Sequence, residues 1–418
     1  MLSLTEALSR VLADARPLPA ERVGLADAAG RVLAVPVHAT LTLPPWDNSA
    51  MDGYAVRGAD VLAATPDAPV RLRVLETVAA GSRPRHVVGA GLATRIMTGA
   101  PLPDGADFVI RVEDTDPGTE MVEVRAARDV GRNVRPRGED IRAGDVALDA
   151  GTRLAGAQLA LLAALGHTEV DVVRVPRVAI LGSGDELVAA DAAGRAYLEG
   201  KVVASNGLAI AALVRADGGR PLELGVAPDR ADAIAARAQA AEQCDLLVTT
   251  AGASVGAFDF TREALASLGM RLDFWRVRIR PGAQTGFGRV DGMGGLPWLG
   301  LPGNPASALV TYELFVRPLL RVLQGERRPH RIHLPVTLDE PVTTGGGATF
   351  FLRVRLTPQA DGWHARLTGP QGSGLLTSMA GANALLVVPE GVTSLPAGAP
   401  AYALPLGDDV LHAAEAAW

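Results

Sequence analysis

The stretch Val248–Phe260 reads VTTAGASVGAFDF. An apolar run from Asp245 to Thr250 reads as a buried strand. It gives way to the small residues Ala251, Gly252, Ala253, Ser254, Val255 and Gly256, and an apolar-periodic helical run opens at Asp259. A strand, a turn of small residues and a helix N-terminus together make an anion site. Backbone N–H groups come close to the ligand, and the helix end adds partial positive charge. The hydroxyls of Thr249, Thr250 and Ser254 add donors. Asp259 fits two readings. It caps the helix, as Asp does well, or it shares the site with a cation, because a carboxylate beside a bound phosphate is repelled unless a cation lies between them.

Further polar clusters sit at other element ends. LPPWDNSAMDGYAV (43–56) concentrates Asp47, Asn48, Ser49 and Asp52 around Gly53, flanked by Trp46, Met51 and Tyr54. It is either an Asn/Asp turn or part of a site. ATRIMTGAPLP (93–103) is a strand that ends in Thr98-Gly99-Ala100. GRNVRPRGEDIRAGD (131–145) packs Arg132, Arg135, Arg137 and Arg142 around Gly138-Glu139-Asp140. This is either a solvated charged face or a loop that meets an anion or another subunit, with Asp140 oriented by the arginines. GSGDEL (182–187), Asp229 after a strand, and LPGNPAS (301–307) complete the set. Asp185 or Glu186 in the first of these also fits a helix cap.

The elements that position these residues follow from periodicity. Helical spacing covers Leu4–Leu12, and a second short helix is expected near Leu25–Leu33. Residues 60–145 alternate in period two between Gly, Pro and Asp turns, which marks a β-rich unit. Helix returns at 151–167, and if it packs with residues 1–34 the β-rich unit is an insertion. From Val175 strands and helices alternate, which implies a mostly parallel sheet with helices on both faces. Ligands of such sheets bind at the strands' carboxyl ends, where GSGDEL, Asp229, TTAGASVGAFD and LPGNPAS all fall. Residues 331–412 alternate again, as a small barrel or sandwich would.

Composition bounds the possibilities. A chain of 418 residues exceeds one ordinary core and implies several domains. The formal charge of −6 argues against nucleic acid or an anionic membrane as main partner. No signal peptide is expected at Met1–Glu6, and no apolar run is long enough to span a bilayer, so a reducing, cytoplasmic home is expected. The single cysteine, Cys244, reads as a small buried hydrophobe. Neither GxGxxG nor GxxxxGK[ST] occurs, and the histidines lack zinc-site spacing. Lys201 is the only lysine among the 40 Lys and Arg residues.

Taken together, PPWDNSAMDGYAV (44–56), RIMTGAPLP (95–103), RGEDI (137–141), SGDEL (183–187), TTAGASVGAFD (249–259) and LPGNPASA (301–308) resemble the molybdopterin molybdenumtransferase family, MoeA, which includes the E domain of gephyrin. The resemblance spans essentially the whole chain. It implies a MogA-like parallel α/β domain (175–327), a β-rich inserted domain (43–145), a discontinuous helical linking domain (1–42 with 146–174) and a C-terminal small β-barrel (328–418). It also implies a homodimer whose site is shared between subunits. Family members insert molybdenum from molybdate into adenylylated molybdopterin and release AMP, with Mg²⁺. Carried over by motif, Asp52, Asp140, Glu186 and Asp259 are the expected catalytic residues, and Glu186, Asp229 and Asp259 the expected metal ligands. Thr98, Ser183, Gly252, Ser254, Gly256, Arg280, Pro302, Asn304, Pro305, Arg353 and Ser373 are expected to bind substrate. A MogA-like adenylyltransferase and recipient molybdoenzymes are the implied partners. One departure stands out. Where the family has KPGKP, this chain has Arg280-Pro281-Gly282-Ala283-Gln284, so the second lysine is replaced by Ala283. That opens an alternative: a non-catalytic cofactor-binding or carrier paralogue.

Overall fold

The computed structural model describes residues 1–128, 131–192, 194, 199–251 and 255–412, by backbone alone at 251, 255–258 and 409. Its centre is a six-stranded sheet in the order Arg220–Ala227, Arg177–Ser183, Leu246–Ala251, Leu296–Leu301, Gly286–Val290, Met270–Trp275. The first four strands run parallel; Gly286–Val290 is antiparallel to both its neighbours. The inner parallel strands read as apolar runs because both faces of such a sheet are covered there, whereas the edge strand Arg220–Ala227 is largely exposed. Alternate residues serve opposite faces. Val178, Ile180 and Val248 pack with Ile210, Val214 and Leu320, whereas Ala179, Leu181 and Leu247 pack with Ile234, Ala238 and Leu265. Each such valine, leucine or isoleucine side chain contributes about 1.5–3 kcal/mol through burial. Trp298 is fully buried, and its indole Nε1–H donates to Thr249 Oγ1 at 2.9 Å, so a large ring enters the core without stranding its polar atom.

A second, five-stranded sheet lies within residues 53–124, in the order Phe108–Arg111, Gly53–Val56, Leu92–Ile96, Val70–Val78, Met121–Val124. It has its own core of Tyr54, Phe108, Ile110 and Val122. The segments on either side of it pair with each other: Ala20–Gly24 runs antiparallel to Glu169–Val173, and His38 faces Val146. The second short helix expected near Leu25–Leu33 is replaced by one 3-10 turn, Leu25–Asp27, followed by bridges from Val32 to Arg153 and Leu33 to Val172. The hydrogen-bond partners that decide this lie more than a hundred residues away, where local periodicity cannot register them. The helices Leu4–Leu12 and Gly156–Ala164 belong to different cores. Ala7 and Val11 join the α/β core, and Leu162 joins Leu33 and Val172.

The C-terminal part closes on itself. Thr349–Gln359 pairs with Gly362–Leu367, which pairs with Leu334–Leu338, then Pro400–Pro405, then Ala384–Val388, which returns to Thr349–Gln359. This is a five-stranded barrel, and closure leaves no free edge within it. The short strand Ile279–Arg280 leaves the α/β unit and adds to Thr349–Gln359, so it ties the barrel to the residues just before Ala283.

Candidate active site at the carboxyl ends of the parallel strands

Strand register brings the sequence's polar ends to one edge. Ser183 lies opposite both Ala227 and Ala251, and Thr250 lies opposite Leu301. The segments that follow, at 184–187, 228–229 and 302–305, therefore share one rim. GSGDEL does not open a helix there. It turns into the two-residue strand Leu187–Val188, paired with Val202–Val203, so the helix-cap reading of Asp185 and Glu186 falls away. Gly184 has φ +153, and the Glu186 carboxylate folds over its Cα where a Cβ would meet Oε2 at 2.5 Å. A side chain at 184 would be strained and would displace that carboxylate.

Asp185 Oδ1 accepts the backbone N–H of Asp229 at 3.1 Å. Asp229 Oδ1 is buried without a hydrogen-bond partner. Burial pushes the Asp229 carboxyl above the usual range, and the negative charges of Glu186 and Asp185 push the same way against one lowering hydrogen bond from the Asp185 backbone. A buried carboxylate oxygen with no donor, beside two further acids, suits a cation. Asp259 stands apart. The helix runs from Val255 to Ser267, so Asp259 lies a turn inside it and does not cap it. Val255, Gly256 and Ala257 contain nothing that stops a helix, and one glycine costs only about 1 kcal/mol there. The Asp259 side chain is 61% exposed and meets Arg262 at 3.9 Å. Among the described residues, no three acidic, His or Cys side chains form a metal-holding group. Glu186 thus lies near enough for its charge to act on Asp229, while Asp259 is exposed on its helix beside Arg262. Gly252 and Ser254 lie outside the described residues; Gly256 is in the helix's first turn.

Two cavities open on this rim. One, about 820 Å³, is lined by Glu186, Thr250, Asn206, Asn304, Pro305 and Gly374. The other, about 600 Å³, is lined by Arg280, Ala283, Pro302, Asn304, Gln371 and Ser373. Asn304 forms part of both walls. Ser183 is buried, with its Oγ unpartnered. Arg280 is exposed, and Ala283 brings no charge to the same wall. Arg353 has no exposed surface. Its guanidinium donates to the carbonyls of Pro370, Gln371 and Gly372 and to Ser378 Oγ. Asn206, which sequence reasoning did not single out as a site residue, donates from Nδ2 to the Gly303 carbonyl at 2.7 Å and so holds the turn that carries Asn304. A polar residue in the first turn of a helix at a strand's carboxyl end was the available signal.

On the inserted sheet, Asp52 and Thr98 meet. Asp52 Oδ1 accepts both the backbone N–H and the hydroxyl of Thr98, each at 2.7 Å. These bonds, the backbone one first, hold the Asp52 carboxyl below its usual range. Gly53 allows this. A Cβ there would come within 1.8 Å of the Ile110 carbonyl oxygen, so any side chain would part the two strands. Asp140 is exposed and lies in a turn held by backbone bonds, Asp140 N–H to Leu43 O and Leu43 N–H to Ile141 O. Among the described residues no ion pair orients it, contrary to the expectation drawn from the surrounding arginines: Arg137 offers its backbone N–H to Asp47 instead. Asp52, Thr98 and Asp140 line neither cavity of their own chain.

This geometry has close relatives. Residues 2–166 match the MoeA N-terminal region (domain I and II), 179–322 a probable molybdopterin binding domain, and 335–406 the MoeA C-terminal region (domain IV). A Mycobacterium tuberculosis protein named molybdopterin molybdenumtransferase 2 is 39% identical over 90% of this chain and 92% of its own length. This chain belongs to the MoeA family. A Bacillus subtilis molybdopterin molybdenumtransferase is 34% identical over 95% of this chain and 92% of its own. The crystal structure of the molybdopterin biosynthesis MoeA protein from Pyrococcus horikoshii superposes with a TM-score of 0.83 at 28% identity, covering 97% of this chain and all of that one. The MoeA-type fold described above is therefore the family's. No helix among the described residues is long and apolar enough to cross a membrane.

Proposed function

We propose that this chain acts in molybdenum cofactor biosynthesis as a transferase that inserts molybdenum from molybdate into adenylylated molybdopterin and releases AMP. The observation that carries this reading is the pair of adjoining cavities with Asn304 in both walls. One holds carboxylates with an orphaned buried oxygen close by; the other presents the Arg280 cation. A substrate with several phosphate charges, accepted beside an oxyanion, calls for opposite polarities at neighbouring points.

The residues present fit Mg²⁺, since that ion takes one or two protein carboxylates and completes its shell with water and substrate phosphate. Glu186 and Asp229 would hold it. When bound, it neutralises charge on the departing AMP phosphate. Arg280 draws the oxyanion into its cavity, and Asn304 orients groups on both sides. Ser183 Oγ, buried and unpartnered at the strand end, offers a donor. The large apolar part of the first cavity, from Ile180, Val188 and Val203, shields the reacting groups from water. Asp259, Gly252, Ser254, Gly256, Pro302, Pro305, Arg353 and Ser373 are assigned to the same site by motif.

Asp52, oriented by Thr98, and Asp140 complete the site from the second subunit of a homodimer, which accounts for both being exposed and lining neither cavity of their own chain. The four parts divide at about residues 43, 146, 175 and 328, as the motifs imply. The protein works in the cytoplasm, receives substrate from an adenylyltransferase of the MogA kind, and delivers cofactor to molybdoenzymes.

Purified protein given adenylylated molybdopterin, Mg²⁺ and molybdate should release AMP. Ala283 on the wall beside Arg280 favours a second reading, that of a carrier which binds the cofactor without turnover. No AMP above a protein-free control, with molybdopterin still retained, would select the carrier.

A further inference from the structure

We infer that Arg353 is a positioning residue, which shapes the wall between the two cavities rather than touching the substrate. Its side chain is wholly buried, and each of its nitrogens already donates. Nε goes to Ser378 Oγ at 3.1 Å, Nη1 to the Gln371 carbonyl at 3.1 Å, and Nη2 to the Gly372 carbonyl at 2.9 Å, with Pro370 O at 3.3 Å. A ligand in the 600 Å³ cavity would have to displace the loop to reach any of them.

The backbone of Arg353 is committed to the same loop. Its N–H donates to Gln371 Oε1 at 2.8 Å, and its carbonyl accepts Gln371 Nε2 and the Thr368 N–H, each at 3.1 Å. Residues 368–372 therefore wrap one planar guanidinium, whose fork matches several carbonyls at once; a lysine, with a single point of charge, cannot. The loop leaves that grip at Ser373, whose carbonyl accepts the backbone N–H of Ala306 at 3.0 Å. Ala306 lies in the first turn of the helix Pro305–Thr311, directly after Asn304. Ser373 then lines the Arg280 cavity and Gly374 the Glu186 cavity. A cation in the barrel thus sets the spacing of the rim through a chain of backbone bonds.

The inference has a structural part, which stands by itself, and a functional part, which rests on the proposed reaction. Arg353→Lys keeps the charge and removes the fork. Ser378→Ala is the milder variant; Ser378 lines neither cavity. Amide hydrogen exchange at Ala306 should quicken at least tenfold in Arg353→Lys and several-fold in Ser378→Ala. KM for adenylylated molybdopterin should rise at least tenfold in Arg353→Lys with kcat nearly unchanged. The double variant should be no worse than Arg353→Lys alone, since both act on one loop. Unchanged exchange at Ala306 together with lost molybdate affinity would make Arg353 a direct ligand and overturn the inference. Additive losses in the double variant would overturn it as well. Exchange needs no substrate, so its outcome stands whether or not the wild-type protein releases AMP.

Discussion

Asn206→Ala isolates one bond in the site. The Nδ2–H to Gly303 carbonyl bond at 2.7 Å joins the first turn of Ser205–Ala216 to the turn before Pro305. Its loss costs about 1 kcal/mol net, since the carbonyl can turn to water in the open cavity. Two effects oppose each other in the free protein. Removing the bond destabilises, but alanine exceeds asparagine in helix propensity by up to about 0.7 kcal/mol. The melting temperature should therefore change by no more than about 1–2 °C. Substrate binding has no such compensation, because the rim must be held in its bound shape. About 1 kcal/mol there is about fivefold in KM, with kcat little changed. Asn206→Asp goes further. It sets a carboxylate oxygen against the Gly303 carbonyl, so repulsion replaces attraction, while a negative charge in the helix's first turn is favourable by roughly 0.3–1 kcal/mol. KM should then exceed that of the alanine variant although thermal stability does not fall. Steady-state AMP release over a substrate series reads both. A wild-type KM in Asn206→Ala at unchanged melting temperature would refute the claim that this bond sets the rim.

Other outcomes follow from the same geometry. Asp229→Asn should raise the thermal stability of the Mg²⁺-free protein at neutral pH and abolish the stabilisation that added Mg²⁺ gives the wild type. The sign follows from the raised folded-state pKa: the folded protein holds that proton more tightly than the unfolded chain, so the ionised carboxylate is a burden above it. A scanning-fluorimetry series with and without Mg²⁺ decides, and a stabilisation retained by the variant would remove Asp229 from the cation site. Asp259→Ala should end AMP release while shifting stability by no more than about 0.5 kcal/mol, because the side chain is exposed; wild-type turnover would take Asp259 out of the mechanism. His364, between Asp339 at 2.8 Å and Asp361 at 3.0 Å, has its pKa raised, by the Asp339 bond first. Its contribution to barrel stability is complete below about pH 6.5 and fades as pH rises through the folded-state value. The stability gap between wild type and His364→Gln, followed by denaturant titration, should narrow from pH 5.5 towards pH 8; a gap that widens would contradict the pairing.

Much of the α/β unit was legible in the residues. Runs such as VAILG and LLVTT read as covered strands, and each breaks into glycine and polar side chains at its carboxyl end. The alternation of strands and helices from Val175 onward was read from spacing alone. Less was legible where a distant partner decides. Ala20–Gly24 is a strand because Glu169–Val173 lies beside it. Arg353 carried no local sign of its burial, since charged residues are rarely placed inside; the carbonyls that make the burial tolerable come from a loop some seventeen residues on.

By itself, the order of residues determined the kinds of element, the rim on which small and polar side chains gather, and the chemistry those side chains permit. Periodicity and turn residues act over a few positions, so they are written locally. Only the tertiary structure decided which acids meet. Asp185 meets the Asp229 backbone because two parallel strands end in register, whereas Asp259 lies a turn inside its helix and is exposed. Contact depends on register and on where each helix begins, and both are set by packing between segments far apart in the chain.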